Sequence, residues 1–378
     1  MNKARFNNHF LSILIISSLG VSLSAQNLNR VHLGDYERET VRKIIQIPDI
    51  PGYVTLKGDF HSHTVFSDGH VWPDVRVMEA WKEGLDVMAI TDHIEYRPHK
   101  DYTQGDHNVS AEIAASRAEE LNIILVKGTE ITRSMPPGHF NALFVEDVNP
   151  LENEDPMAQI EAAAGQGAFV IWNHPGWDRQ QPDTTLWWDF HTAILEKGWL
   201  HGVEVGNDGE WYPVAVDWCR DKKLTAFANS DIHAPMDLQY DFSIPDSHRP
   251  MTLVFSKDRS EEGVKEALFS RRTLAFTGEQ LMGPEELIVA LFHASVRLHS
   301  SYTSKDIRGQ KTDFREIENP TDLTFILEEV NESKDASIIR LKPNSMQILR
   351  IPSGENKLQY RLLNCWIGSC EHPVVTFE

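Results

Sequence analysis

Five short apolar runs in this chain each reach a histidine or an acid within three residues of their end. Tyr53–Phe60 leads into His61-Ser62-His63, Asp86–Thr91 into Asp92-His93, Asn122–Lys127 into Gly128-Thr129-Glu130, Ala168–Trp172 into Asn173-His174, and Leu224–Ala228 into Asn229-Ser230-Asp231-Ile232-His233. Helical stretches separate them, at Pro73–Gly84, Val109–Leu121, up to Gly167 and over Val214–Lys222, with a further strand at Met251–Phe255 and helix at Glu261–Ser270. Short buried strands alternating with amphipathic helices predict a parallel α/β barrel. In such a barrel the carboxyl ends of the strands gather on one face, where catalytic groups sit. Residues about 170 positions apart therefore meet in one pocket.

Side chains two apart on a strand share a face, so His61 and His63 converge, as do Asp231 and His233. His93 points at the same rim, and Asp92 orients a neighbouring imidazole or serves as an acid. Glu130 has two oxygens and can bridge two ions. Asp68, in Ser67-Asp68-Gly69, either reaches an adjacent ion or makes an ordinary turn. His139 begins a strand instead of ending one; the preceding Pro136-Pro137-Gly138 could fold that strand back as a hairpin and return His139 to the rim near Glu130. Glu204, in the run Val203–Asn207, reads as a structural residue. No cysteine lies beside these segments, so nitrogen and oxygen ligands are expected, which suits Zn, Mn or Fe. Cys365 and Cys370 could pair in an oxidising compartment. Most of Trp172, Trp177, Trp187, Trp188, Trp199 and Trp211 read as core.

The 378 residues suit a barrel-sized domain plus a smaller one. Beyond Pro284 the runs Leu287–Leu298, Leu323–Leu327, Ala336–Leu341, Ser345–Ile351 and Leu358–Leu363 resemble short strands, which predicts a small all-β sandwich. With 56 acidic against 36 basic residues the net charge is −20. That field repels phosphate backbones and excludes a broad nucleic-acid surface, whereas bound cations can still admit a small anion. Lys3, Arg5, the apolar Phe10–Val21 and Ser22-Leu23-Ser24-Ala25 predict a signal peptide over residues 1–25. A periplasmic or secreted protein follows, with no membrane span in the mature chain and its oligomeric state open.

The motifs Asp59-Phe60-His61-Ser62-His63-Thr64, Ser67-Asp68-Gly69, Thr91-Asp92-His93, Gly128-Thr129-Glu130, Gly138-His139, Asn173-His174-Pro175 and Ser230-Asp231-Ile232-His233 resemble those of the polymerase and histidinol phosphatase (PHP) superfamily. Asp49–Tyr53, Val71-Trp72-Pro73, Ile94–His99 and Glu130–Arg133 are similar to its Sb-PDE-type bacterial phosphodiesterases. The resemblance implies a lead-in segment over 26–57, a distorted (β/α)7 TIM-like barrel over 58–284 and a C-terminal β domain over 285–378. It implies two to three divalent ions: a first on His61, His63, Glu130 and Asp231, a second on Glu130, His139 and His174, and a third on Asp68, His93 and His233. Asp68 stands where some relatives carry His. The expected reaction is hydrolysis of a small phosphodiester by a metal-bridging hydroxide, with Asp92 or His99 as leaving-group acid. Arg97 and Arg179 could bind a phosphoryl oxygen or be solvated loop residues. A phosphomonoesterase on the same ions, and a non-catalytic exported metal- or carbohydrate-binding protein, are the alternatives.

Overall fold

The computed structural model describes residues 41–244, 247–305, 307–309, 311–330, 337–351 and 358–377. The leader expected over 1–25 and most of the lead-in segment lie outside the described residues, as does the first residue of the strand expected at Ala336–Leu341. Arg42–Glu378 pack as one unit.

Eleven strands build the larger sheet system of that unit: β1 (Val54–Asp59), β2 (Val87–Ile90), β3 (Ile124–Ile131), β4 (Phe140–Leu143), β5 (Phe169–Trp172), β6 (Gly202–Asn207), β7 (Glu210–Trp211), β8 (Thr225–Asn229), β9 (Met251–Ser256), β10 (Thr273–Thr277) and β11 (Gln280–Met282). Their order is β11-β10-β9-β1-β2-β3-β4-β5-β6-β7, with β8 also on β6. β1, β2 and β3 pair in parallel, and so do β5, β6 and β8. β2 and β5 are buried along their whole length, as their unbroken apolar sequences require when both faces are covered.

The even seven-fold strand–helix alternation is interrupted. β4 is antiparallel to both β3 and β5, and β9, β10 and β11 are antiparallel to their neighbours. Eight residues separate β3 from β4, and a parallel crossover needs a dozen or more, so a hairpin is what fits. The sheet curls until β8 approaches β1. There Ser62 and Ile232 form a bridge, and side chains tie β8 to β9 and β10: Thr252 Oγ1 donates to Ala228 O at 2.9 Å and Thr273 Oγ1 to Ala226 O at 2.8 Å. Leu56, Phe60, Val126, Phe169, Phe227 and Val254 fill the interior.

The helices are α1 (Pro73–Lys82), α2 (Val109–Leu121), α3 (Pro156–Gly165), α4 (Asp189–Glu196), α5 (Pro213–Lys222), α6 (Met236–Gln239), α7 (Glu261–Phe269) and α8 (Glu285–Ser295). Proline opens α1, α3 and α5, where its missing N–H is no loss. Asp155 caps α3 and Ser260 caps α7. α8 corrects the expectation of a strand over Leu287–Leu298. Its buried Leu287, Ile288, Leu291 and Phe292 recur with helical spacing, and only Arg297–Leu298 is extended.

That pair begins the C-terminal β module: β12 (Arg297–Leu298), β13 (Tyr302–Lys305), β14 (Lys311–Asn319), β15 (Phe325–Glu329), β16 (Ile338–Leu341), β17 (Ser345–Ile351), β18 (Leu358–Leu362), β19 (Cys365–Trp366) and β20 (Val374–Phe377). One antiparallel sheet joins β12, β14, β13 and β17, and another runs β16-β15-β18-β20. The module is not a separate body on a tether. β19 pairs in parallel with β11, and Phe292 of α8 packs edge-on to Phe325 with ring centres 5.0 Å apart. Cys365 is buried, Cys370 is exposed and both are free, so the anticipated pairing is not formed. Among the described residues no helix is long and apolar enough to cross a membrane.

Candidate metal centre

All nine residues expected as ligands meet at one mouth of the curled sheet. His61 and His63 follow β1, His93 follows β2, Glu130 lies near the end of β3, His174 follows β5, and Asp231 and His233 follow β8. The loop after β1 brings Asp68. The hairpin brings His139, with Ile131 opposite Phe140, and its Nδ1 lies 2.9 Å from Glu130 Oε1.

Carboxylates stand between the imidazoles. Asp231 Oδ1 is 3.1 Å from His61 Nε2 and 2.9 Å from His63 Nε2. Glu130 Oε2 is 3.5 Å from both of those nitrogens and 2.7 Å from His93 Nδ1. Asp68 Oδ1 is 3.4 Å from His93 Nε2 and 3.2 Å from His233 Nε2. His174 Nε2 is 3.7 Å from Glu130 Oε1. Three groups offer donor atoms within 4.8 Å of one another: His63, Asp68, His93 and His233; His61, Glu130 and His174; and His61, His63 and Asp231. His63 therefore serves two groups, where the resemblance implies one.

The donor set fits divalent cations on a direct observation. His61 Nε2, Glu130 Oε2 and Asp68 Oδ1 are buried atoms with no hydrogen-bond partner. Buried polar atoms are paired in nearly all native structures, so converging orphans call for a further ligand. Imidazole and carboxylate atoms without sulfur are what Zn, Mn or Fe accept.

Without a cation the cluster balances its own charge. Burial depresses the His61 imidazole, but Asp231, Glu204 and Glu130 override it and raise the group well above its usual value. His93 is likewise depressed by burial and held up at about 10 by Glu130 and Asp68. His63 falls to about 3, through burial and then the like charges of His233 and His93. Burial raises the carboxyls of Glu130 and Asp231, yet the surrounding imidazoles hold both well below the ordinary range. These groups titrate as one coupled set.

A second layer aims the donors. The fully buried Glu204 lies 2.8 Å from His61 Nδ1 and accepts the His174 amide at 2.7 Å. Asp59 pairs with the buried Arg249 and accepts the amide of Ser230 at 3.1 Å, linking the end of β1 to that of β8. His174 and Asp231 take φ of 26° and 51°, a region that non-glycine residues occupy at a cost and that clusters at functional sites.

Three expected site residues are not at the mouth. Asp92 faces away, because on the strand that points His93 inward its neighbour must point outward. Its carboxylate accepts the amide and hydroxyl of Thr64 and the hydroxyl of Ser67, each at 2.7 Å. It reaches an imidazole only through Ser67, whose Oγ is 3.4 Å from His63 Nδ1. Arg97 donates from Nε to Phe66 O at 3.1 Å and lines a neighbouring pocket with Lys100 and Asp106. His99 lines neither pocket, and its carbonyl accepts the amide of Tyr102. Arg179 does reach the mouth, its guanidinium carbon 5.6 Å from the Trp177 ring centre. The cleft there measures about 640 Å³. Tyr96, Thr132, Gln180, Asn207, Asp208, Glu210 and Gln239 also line it. Tyr96 and Thr132 fall within the quoted Ile94–His99 and Glu130–Arg133 segments, whereas Gln180, Asn207, Asp208, Glu210 and Gln239 lie in no quoted motif. Glu204 did carry a signal, as an acid inside an otherwise apolar strand.

A family model described as an Ig-like domain matches residues 298–378. A crystal structure of a two-domain protein from Bacteroides vulgatus, containing a predicted PHP-like metal-dependent phosphoesterase, is 44% identical with a TM-score of 0.83 over 90% of this chain and 99% of that one. A candidate metal-dependent phosphoesterase from Bifidobacterium adolescentis is 19% identical over 57% of this chain and 96% of its own, with a TM-score of 0.39. An uncharacterized protein of Methanocaldococcus jannaschii is 25% identical over 197 residues, which are 48% of this chain and 84% of that protein. With 44% identity and near-complete overlap with the Bacteroides protein, and with its own His, Asp and Glu clusters gathered at one mouth, this chain belongs to the PHP-like metal-dependent phosphoesterases and joins that domain to an Ig-like one.

Proposed function

We propose that this protein is an exported phosphodiesterase that hydrolyses small phosphodiesters at a centre of two to three divalent ions. The observation that carries the reading is the set of orphaned buried atoms, His61 Nε2, Glu130 Oε2 and Asp68 Oδ1, turned toward one open cleft. His61, His63, Glu130 and Asp231 would hold a first ion, Glu130, His139 and His174 a second, and Asp68, His93 and His233 a third. Zn, Mn or Fe bound there supplies an acidified water and a Lewis acid that offsets charge building on the phosphoryl group.

The chain's own residues do the remaining work. Arg179, stacked on Trp177 at the rim, would bind a non-bridging phosphoryl oxygen while phosphorus is attacked. Trp177 lies 5.3 Å from the His174 ring and 5.8 Å from that of His139, forming an apolar wall that keeps bulk water from one side. Gln180 Nε2 is 3.1 Å from His139 Nε2 and fixes that ring with its Nδ1 toward Glu130. Asp92 and His99 do not line the cleft, and neither is assigned the role of leaving-group acid.

The test is turnover of bis(p-nitrophenyl) phosphate against p-nitrophenyl phosphate by the manganese- or zinc-loaded protein. Preference for the diester supports the proposal. Activity on the monoester alone assigns a phosphomonoesterase, and turnover of neither leaves an exported binding protein.

A further inference from the structure

We infer that Glu204 positions two of the candidate ion sites at once, by fixing which nitrogen His61 turns to the mouth and where the main chain of His174 runs; this rests on the ion-binding reading above. Glu204 sits in the middle of β6 and is fully buried. Everything around its carboxylate is a donor. Oε1 is 2.8 Å from His61 Nδ1 and accepts Asn229 Nδ2 at 2.9 Å. Oε2 accepts the His174 amide at 2.7 Å and Asn207 Nδ2 at 2.8 Å. An ionised carboxylate has acceptor positions for all four and no proton to clash with any of them.

Two consequences follow from that match. With an ion bound, His61 would keep its proton on Nδ1 toward Glu204 and offer Nε2 to the mouth, and Nε2 is the buried nitrogen without a hydrogen-bond partner. The His174 amide is held in place although its φ of 26° is one a non-glycine residue leaves unless restrained. One side chain thus aims a ligand of the His61, His63 and Asp231 group and a ligand of the His61, Glu130 and His174 group. The Asp68, His93 and His233 corner receives no bond from it.

Glutamine has nearly the same shape but must present an NH2 group to two of the four donors. Turned one way it confronts the His174 amide, which cannot change its role. Turned the other way it confronts His61 Nδ1–H, which is relieved only by moving the proton to Nε2, and that closes the ligand nitrogen. Glu204→Gln is therefore a nearly isosteric change that misdirects the site.

The experiment is zinc titration of the full chain by calorimetry, wild type against Glu204→Gln, with 15N spectra of histidine-labelled, zinc-loaded protein. The expected result is an affinity about 10- to 100-fold weaker in the variant, together with loss of the wild-type His61 pattern of a protonated Nδ1 and a metal-bound Nε2. Equal affinity and an unchanged His61 pattern, with only a lowered melting temperature, overturn the proposal and leave Glu204 as a buried polar residue of the core. If the wild type binds no zinc, the ion-binding reading itself falls, which is a separate outcome. Should Glu204→Gln not fold, Asn207→Ala removes one donor at Oε2 without touching His61. It is expected to weaken zinc by up to about tenfold, and no change counts against the role.

Discussion

Replacing Asp92 separates two tasks that an Asp-His pair at a strand end leaves open. Were its carboxyl to protonate the leaving alkoxide, Asp92→Asn would lower kcat by about 10²- to 10⁴-fold. The contacts assign it a different task. Oδ1 accepts the Thr64 amide and the Ser67 hydroxyl, and Oδ2 accepts the Thr64 hydroxyl. An asparagine keeps its carbonyl for the first two and points its NH2 at Thr64 Oγ1, which can turn and accept. The Thr64 amide and the Ser67 hydroxyl stay paired, and the Thr64 hydroxyl gives up its acceptor in becoming one. The loss is that of charge assistance, roughly 1 kcal/mol, and a fall in kcat of about fivefold at most if all of it reaches the transition state. Asp92→Ala instead strands the Thr64 amide, which is fully buried, at about 1–3 kcal/mol. It also frees the loop that carries Asp68, so the alanine variant loses more stability than the asparagine variant and binds ions less well. Urea unfolding and diester turnover of the loaded enzyme measure both effects. A stable Asp92→Asn protein with kcat reduced a hundredfold or more would show that the carboxyl acts in the chemistry.

Other consequences are as direct. In the cation-free protein His93 overcomes burial and stays protonated up to about pH 10, held by Glu130 and Asp68, whereas an ion needs the neutral ring; ion uptake therefore releases protons and affinity climbs with pH below that value. Calorimetry in buffers of different ionisation enthalpy reads the release, and its absence would contradict the charge balance described. At Gly176 a Cβ would lie 2.4 Å from Thr185 Oγ1 and 2.5 Å from Tyr212 Cδ1. Gly176→Ala should destabilise the fold by about 1–3 kcal/mol and raise KM more than it lowers kcat, because the displaced loop carries Trp177 and Arg179. Phe292→Ala should cost about 3–5 kcal/mol and leave one cooperative unfolding transition. Barrel and β-module residues share a continuous core there, and two separate transitions in calorimetry would refute that coupling.

The strand ends were legible because two patterns coincide in them: an apolar run that must be buried, and a polar side chain that a buried position does not tolerate without a partner. His139 was left open by its turn, since Pro136-Pro137-Gly138 permits a hairpin without requiring one, and the resemblance is what named it as a ligand. Which of the two tasks expected of Asp92 it performs was not legible, because a residue's place in a motif does not say which face it takes, and its carboxylate lies on Thr64 and Ser67. The strand expected at Leu287–Leu298 failed for another reason. Short apolar runs suit helix and strand alike, and the helical spacing of Leu287, Leu291 and Phe292 was the better guide. Glu204 reads as structural when the chain is taken one segment at a time, because its partners His61, His174 and Asn229 come from other strands. Cleft residues such as Gln180 and Asp208 owe their position to the connections between elements, which no local pattern announces.

Crystals grown with excess manganese and recorded at the manganese edge bear most directly on the idea that distant strand ends converge to trap cations. Anomalous peaks are expected within coordination distance of His61 Nε2 and Glu130 Oε2, with the nearby imidazoles and Asp231 completing the shell. Well-ordered His61, His93, Glu130 and Asp231 with no peak among them, or peaks only elsewhere on the molecule, would contradict it.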